Sequence, residues 1–239
     1  MIIRFYRGRR GLLGAICDLE ISIDEEMWHS ITPEAVARQH SYIFDRQIGE
    51  GIVLDPFCGY GTDILYQKKG IFAIGCDLIH GRLLVARRIH ETLGKSLVDF
   101  VLSDFVKGKS CFRNDTRLFD IVHLSPPWGH CGIRNRKYEP TAYGARRLNQ
   151  LSVDGFDVFK RALKLARSDN IAYYLPRGIA ESELIKLATL TQNCLAIAAQ
   201  AHYSYDPNDE TSSKEQQLRV RGVTVYFGDL SKQFLNREL

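Results

Sequence analysis

The 239 residues, 45% hydrophobic and 25% charged, suffice for one large α/β domain with a small extension and exclude a globally disordered chain. A formal net charge of +4 permits an anionic partner without requiring one, and no apolar run approaches the roughly 18 residues of a membrane span. The six cysteines, Cys17, Cys58, Cys76, Cys111, Cys131 and Cys194, form no zinc-site spacing, so free thiols in a reducing compartment, no metal and no membrane are expected.

The chain opens with basic residues (Arg4, Arg7, Arg9, Arg10) and then an acidic stretch, Asp18 to Glu26. This reads as an N-terminal extension over residues 1–50, outside the main sheet, ahead of a second unit over 51–239. At Thr32-Pro33-Glu34 a helix starts, with Thr32 as its cap and Pro33 at the first helical position, running toward Phe44. Beyond Gly51, short apolar runs alternate with amphipathic stretches, the pattern of a parallel sheet with crossover helices. Strands are predicted over Ile52–Asp55, Ile71–Cys76, Val98–Leu102, Phe119–Leu124 and Asn170–Leu175. Helices are predicted over Thr62–Lys68, Gly81–Leu93, Asp154–Arg167 and Glu181–Thr191. Two more strands, Cys194–Tyr203 and Val220–Phe227, have no helix between them and predict an antiparallel addition at the sheet edge. The fold class is α/β, a Rossmann-like, doubly wound and mostly parallel sheet.

The stretch Ile52-Val-Leu-Asp55-Pro-Phe57-Cys58-Gly59-Tyr-Gly61-Thr62 carries a strand into a glycine turn, where open α/β sheets bind ligands. Alone, Gly-x-Gly is equally a tight turn. The next strand ends at Asp77, the place for a carboxylate on ribose hydroxyls, and the third ends at Ser103-Asp104-Phe105, which suits an adenine amino group and ring. The third glycine of a dinucleotide fingerprint is missing and acidic residues ring the site, which favours cationic S-adenosylmethionine over NAD or FAD. S-adenosylhomocysteine would be the product.

The fourth strand runs into Ser125-Pro126-Pro127-Trp128-Gly129. Two prolines fix this backbone so that the Ser125 and Pro126 carbonyls can accept from an exocyclic amine on a base, while Trp128 offers a stacking face. In isolation the same string is a proline turn with a buried Trp. After a cofactor fingerprint it reads as the catalytic loop, with Ser125, Pro126 and Trp128 as catalytic residues, Ser125 also reaching the cofactor, and in-line methyl transfer as the chemistry.

Together these residues resemble the trimethylguanosine synthase family, class I methyltransferases that methylate the 2-amino group of a 7-methylguanosine RNA cap. Trp28-His29-Ser-Ile-Thr32-Pro-Glu34, Asp55-x-Phe57-Cys58-Gly59-x-Gly61, Ser125-Pro-Pro-Trp-Gly129, Asp154-Gly-Phe156, Tyr174-Leu-Pro-Arg177 and Tyr226-Phe-Gly-Asp-Leu230 fall in the family's order. The resemblance implies a cofactor set of Thr32, Asp55, Phe57, Cys58, Gly59, Gly61, Thr62, Asp77, Asp104, Phe105 and Ser125. It implies a cap set of Trp28, His29, Ser125, Pro127, Trp128 and Arg177, with Arg177 meeting phosphates. Capped RNA is the implied partner, a monomer the implied state, and nucleus or cytoplasm the implied location. The chain departs from the family at His29, at Thr62-Asp63 where Gly-Asn is common, and at His130-Cys-Gly-Ile after the catalytic loop. A basic cluster, Arg134, Arg136, Lys137, Arg146 and Arg147, suits phosphate contact. The competing readings are an N2-guanine or N6-adenine methyltransferase of internal RNA or DNA bases and a non-catalytic cap-binding module.

Overall fold

The computed structural model describes residues 12–106, 112, 117–126, 155–192, 197–205 and 218–234. Pro127 and Trp128 of the expected catalytic loop and the basic cluster at 134–147 lie outside the described residues, as does the side chain of His29.

Among the described residues, seven strands form one sheet: β1 (Gly51–Asp55), β2 (Ile71–Asp77), β3 (Val98–Leu102), β4 (Ile121–Leu124), β5 (Ile171–Pro176), β6 (Ala198–Tyr205) and β7 (Leu218–Tyr226). Their spatial order is β3-β2-β1-β4-β5-β7-β6. The pairs β3/β2, β2/β1, β1/β4 and β4/β5 are parallel, while β7 lies antiparallel to both β5 and β6. The expected mostly parallel sheet with an antiparallel C-terminal addition is therefore observed.

Among the described residues, five α-helices accompany this sheet: α1 (Glu25–Ser30), α2 (Glu34–Ile48), α3 (His80–Thr92), α4 (Gly155–Leu165) and α5 (Glu181–Ala188). Alternation along each strand divides the core between its two faces. Leu54, Val122, Leu124, Tyr173 and Val225 bury against α4 (Val158, Phe159, Ala162) and α5 (Leu187). Val53, Ile121, Ala172 and Tyr226 bury against α2 (Ile43, Phe44) and α3 (Leu83, Ala86). Burying apolar groups on both faces explains why the strands read as continuous apolar runs. A third, smaller cluster joins Leu13, Ile16, Met27 and Ile31 of the N-terminal segment to Tyr60, Leu65 and Ile89. No described helix is long and apolar enough to cross a membrane.

Two local expectations are corrected. The predicted helix at Thr62–Lys68 is a series of turns: Asp63 is drawn into long-range bonds with Thr32 and His40, and the crossover from β1 to β2 passes without a helix. Thr32 does not cap α2. Pro33 occupies the N-cap position without a side-chain bond, because the Thr32 hydroxyl donates instead to Asp63 Oδ2 at 2.6 Å.

Candidate active site

The carboxyl ends of β1, β2 and β3 share one local device. Asp55 Oδ1 accepts from Phe57 N at 3.1 Å, Asp77 Oδ1 from Ile79 N at 2.8 Å, and Asp104 Oδ1 from Val106 N at 2.9 Å. Each is an Asx turn that stops its strand and leads the chain away over the sheet edge. Asp77 Oδ2 also accepts from Gly59 N at 3.0 Å, which draws the glycine turn onto the end of β2. Gly59 (φ +53) and Gly61 (φ +71) are both left-handed, and a Cβ at Gly59 would stand 2.7 Å from Met27 Cε. A side chain at either position would be strained and would push the neighbouring segments apart.

These turns line a concave cleft open to solvent. Thr32, Phe57, Cys58, Gly59, Thr62, Asp77, Asp104, Phe105 and Ser125, all expected on the cofactor, line it. Asp55 and Gly61, also expected there, stand behind the wall. Asp55 is 1% exposed, and Gly61 backs onto His90, whose Nε2 lies 3.0 Å from the Gly61 carbonyl. Phe57 and Phe105 meet edge to face with centroids 5.6 Å apart, giving the β3 end an apolar wall. Ser103 Oγ, on a lining residue, is buried without a hydrogen-bond partner among the described residues, as expected of a group meant to meet a ligand. Cys58 is no nucleophile: burial, with Asp55 and Asp77 nearby, pushes its thiol well above the usual range.

The far wall comes from the N-terminal segment through Met27, Ser30, Ile31 and Thr32. Asp24 fastens it. Its carboxylate accepts from Met27 N and takes a two-point bond from the Arg82 guanidinium at 3.0 and 3.2 Å, while its own N–H donates to Tyr60 Oη. Burial opposes the charge, but the bonds from Arg82 and Met27 outweigh it and hold the carboxyl below its usual value. The sequence placed Asp24 only in an acidic run, since partners 36 and 58 residues away leave no local signal.

Trp28 does not line the cleft; it packs, half-buried, against the third core cluster. Arg177 is exposed just past the end of β5, on the sheet edge that also carries Ser125 and Pro126 past β4. Ser125 therefore joins the cleft to the start of the loop expected to be catalytic.

Beneath this junction lies a cluster that sequence reasoning missed. Asp63, lining the cleft yet with a side chain only 6% exposed, meets His40 Nδ1 at 2.8 Å and His123 Nε2 at 3.4 Å through Oδ1. Oδ2 accepts from Thr32. His40 Nε2 reaches Thr224 Oγ1 at 2.7 Å, which His202 Nε2 meets at the same distance. The rings of His40 and His123 lie 4.7 Å apart. Burial would neutralise Asp63, but the positive charge on neighbouring His123 and the bond from His40 hold its carboxyl far below the usual range. Burial likewise opposes charge on His123, yet the Asp63 carboxylate outweighs it and raises the imidazole above its usual value. Burial and the neighbouring Asp63 charge lift Asp55 to about 7, against the pull of His123. Alternation on β4 and β7 was the only available signal, since it puts His123 and Thr224 on the α2 face.

Residues 50–229 match the family model described as RNA cap guanine-N2 methyltransferase. The trimethylguanosine synthase of Schizosaccharomyces pombe is 30% identical over 186 residues, 76% of this chain and 73% of that one. The trimethylguanosine synthase of Saccharomyces cerevisiae is 25% identical over 208 residues, 85% of this chain and 62% of that one, so the chain spans less than two thirds of this second relative. Among solved structures, a candidate RNA methyltransferase of Pyrococcus horikoshii superposes with a TM-score of 0.55 at 14% identity, covering 92% of this chain and 96% of that one. The precorrin-6y C5,15-methyltransferase of Geobacter metallireducens GS-15 gives 0.50 at 11% identity over 87% and 93%. Both similarities speak to the fold, a class I methyltransferase sheet. With three quarters of its length inside the family model, the chain belongs to the RNA cap guanine-N2 methyltransferase family.

Proposed function

We propose that the cleft binds S-adenosylmethionine and that the chain directs its methyl group to the exocyclic 2-amino group of a 7-methylguanosine RNA cap. The observation that carries this reading is the convergence of Asp77, Asp104 and Phe105, at successive strand ends, on the cleft that Ser125 also lines. The residues fit the cofactor. Asp77 has an acceptor pair for two ribose hydroxyls, Asp104 and Phe105 suit the adenine amino group and ring, and the unpartnered Ser103 Oγ supplies one more polar contact. When bound, the sulfonium supplies an activated methyl group.

The chain's own part is positioning. The strand order β3-β2-β1-β4 lays Asp104, Asp77, Thr62 and Ser125 in sequence along one edge, so an adenosine over β3 and β2 points its other end toward β4. There the Ser125 and Pro126 carbonyls accept from the base amine and orient its lone pair, with Trp128 as the stacking face. A 7-methylated guanine is cationic, which strengthens stacking on an indole by about 0.5–2 kcal/mol. Arg177, on the same edge, meets the cap phosphates. Capped RNA in the nucleus or cytoplasm is the substrate class. Mass spectrometry of 7-methylguanosine triphosphate incubated with the protein and S-adenosylmethionine tests cofactor, substrate and product count together. A gain of one or two methyl groups on the amino nitrogen is expected, and no gain overturns the reading.

A further inference from the structure

The His–Asp cluster on the α2 face has no part in the function proposed above, although it meets the cleft at Asp63. Its hydrogen bonds, together with the burial that keeps His40 neutral, set its protonation. A carboxylate only accepts, so His40 carries its proton on Nδ1 toward Asp63. Nε2 of His40 then accepts from the Thr224 hydroxyl, and the same oxygen accepts from His202 Nε2–H. Asp63, His40, Thr224 and His202 are thus satisfied in series, with Thr32 on the second carboxylate oxygen. One ring nitrogen each of His40 and His123 and a carboxylate oxygen of Asp63 all lie within 4.8 Å of one another. His123 is left over: it is fully buried, neither ring nitrogen makes a hydrogen bond among the described residues, and its ion-pair distance to Asp63 is 3.4 Å. A buried carboxylate beside an unbonded imidazole is a pair that keeps itself neutral by holding one proton on the imidazole.

The position of the pair gives it a use. Asp104 and Asp77 serve the β3 and β2 end of the cleft, whereas Asp63, Thr32 and Thr62 line it by β1 and β4. If the adenosine lies over the first end, as the function proposed above requires, the charged end of the methyl donor arrives at the second. S-adenosylmethionine brings a net positive charge, and S-adenosylhomocysteine, lacking the sulfonium, brings none. We infer that Asp63 and His123 form a proton-exchanging counter-ion for the cationic end of the methyl donor. Without ligand the pair is Asp63 carboxylate and His123 imidazolium. Entry of the cation expels the His123 proton to solvent, because two positive charges in a poorly solvated site repel strongly, and leaves Asp63 to balance the ligand. The demethylated product restores the proton and loses the attraction, which favours its release. The other ionisable groups around His123 are Asp55 of β1, His40 of α2 and His202 of β6. Asp55, lifted to about 7, is the alternative proton source, and the test must separate it.

The test is calorimetric titration of the whole chain at pH 6.5 with S-adenosylmethionine and with S-adenosylhomocysteine, each in two buffers of different ionisation enthalpy. Release of about one proton with the first ligand and almost none with the second is expected. His123→Gln should remove the difference. Asp63→Asn, which keeps the shape and the bond to His40, should weaken S-adenosylmethionine about tenfold and leave S-adenosylhomocysteine within about twofold. Equal proton counts for the two ligands in the unaltered chain overturn the proposal without any variant. Release that persists in His123→Gln assigns the proton to Asp55 and overturns it as well. If neither ligand binds, the cofactor reading itself falls, and this inference with it.

Discussion

The two ends of the cleft use aspartate in opposite ways. Over β2 and β3, Asp77 and Asp104 are held by backbone N–H groups two residues ahead, Asp77 also by Gly59 N, and both line the cleft. Over β1 and β4, Asp63 is held by Thr32 and His40, 31 and 23 residues away, with His123 beside it, and is almost wholly enclosed. A local turn yields a carboxylate on the cleft wall, within reach of a ligand. A long-range network yields a buried charge whose effect is electrostatic, and whose loss damages the fold before it damages the chemistry.

The largest expected effect breaks the second end. Asp63→Ala removes the acceptor of Thr32 and His40 and strands His123 without its counter-charge. Breaking a buried pair from one side costs about 3–5 kcal/mol. Chemical denaturation should show that loss, and a variant as stable as the parent would mean that Asp63 is not the anion of the cluster.

A second test sets His90, behind the open end, against that cluster. Burial pushes His90 down to about 4, with only the Gly61 carbonyl favouring its charge. Its folded value is depressed below the unfolded one, near 6.5, so the folded chain binds fewer protons than the unfolded chain between these values. The neutral ring's contribution is complete above pH 6.5 and is lost as pH falls through 4, amounting to at most about 3 kcal/mol. Thermal unfolding from pH 7 to 4.5 should show His90→Gln declining less steeply than the parent. Parallel declines would remove His90 as a cause.

The open end was largely legible in the sequence. Strand, aspartate and glycine turn are adjacent in the chain, and burial on both faces makes the parallel strands continuous apolar runs. The cleft wall accordingly contains Phe57, Gly59, Asp77, Asp104, Phe105 and Ser125 as expected. Asp55 has the same sequence context as Asp77, yet it is 1% exposed and does not line the cleft; only three-dimensional burial separates the two. The closed end was illegible. His40, His123 and His202 sit in a helix and two strands as isolated histidines, and no spacing rule links them. The failed helix at Thr62–Lys68 has the same origin, since long-range bonds to Asp63 override a weak helical pattern.

Asp77→Ala tests the open end by itself. Ribose hydroxyls would lose their charged acceptor, a loss of about 1–3 kcal/mol in S-adenosylmethionine binding. Both ligands share the ribose, so S-adenosylhomocysteine should weaken equally. That symmetry separates Asp77 from Asp63, whose replacement by Asn should discriminate between them. Titration showing unchanged affinity for both would place the ribose elsewhere.

The smallest effect is expected at Arg177, which lies beyond both ends of the cofactor cleft, past β5 on the rim where capped RNA would approach. It is exposed, so a contact with phosphate is screened by water and salt and is worth no more than about 1 kcal/mol. Arg177→Ala should therefore leave cofactor affinity and folding unchanged while raising KM about two- to fivefold for a triphosphate-bearing cap analogue. The phosphate-free 7-methylguanosine nucleoside has no charge for Arg177 to meet, and its KM should not move. Raising the salt concentration should shrink the penalty on the triphosphate, because screening weakens the parent's contact while the variant has none to lose. Initial rates for both substrates at two ionic strengths measure all of this. An equal penalty on nucleoside and triphosphate, or one indifferent to salt, would show that Arg177 shapes the site without contacting phosphate.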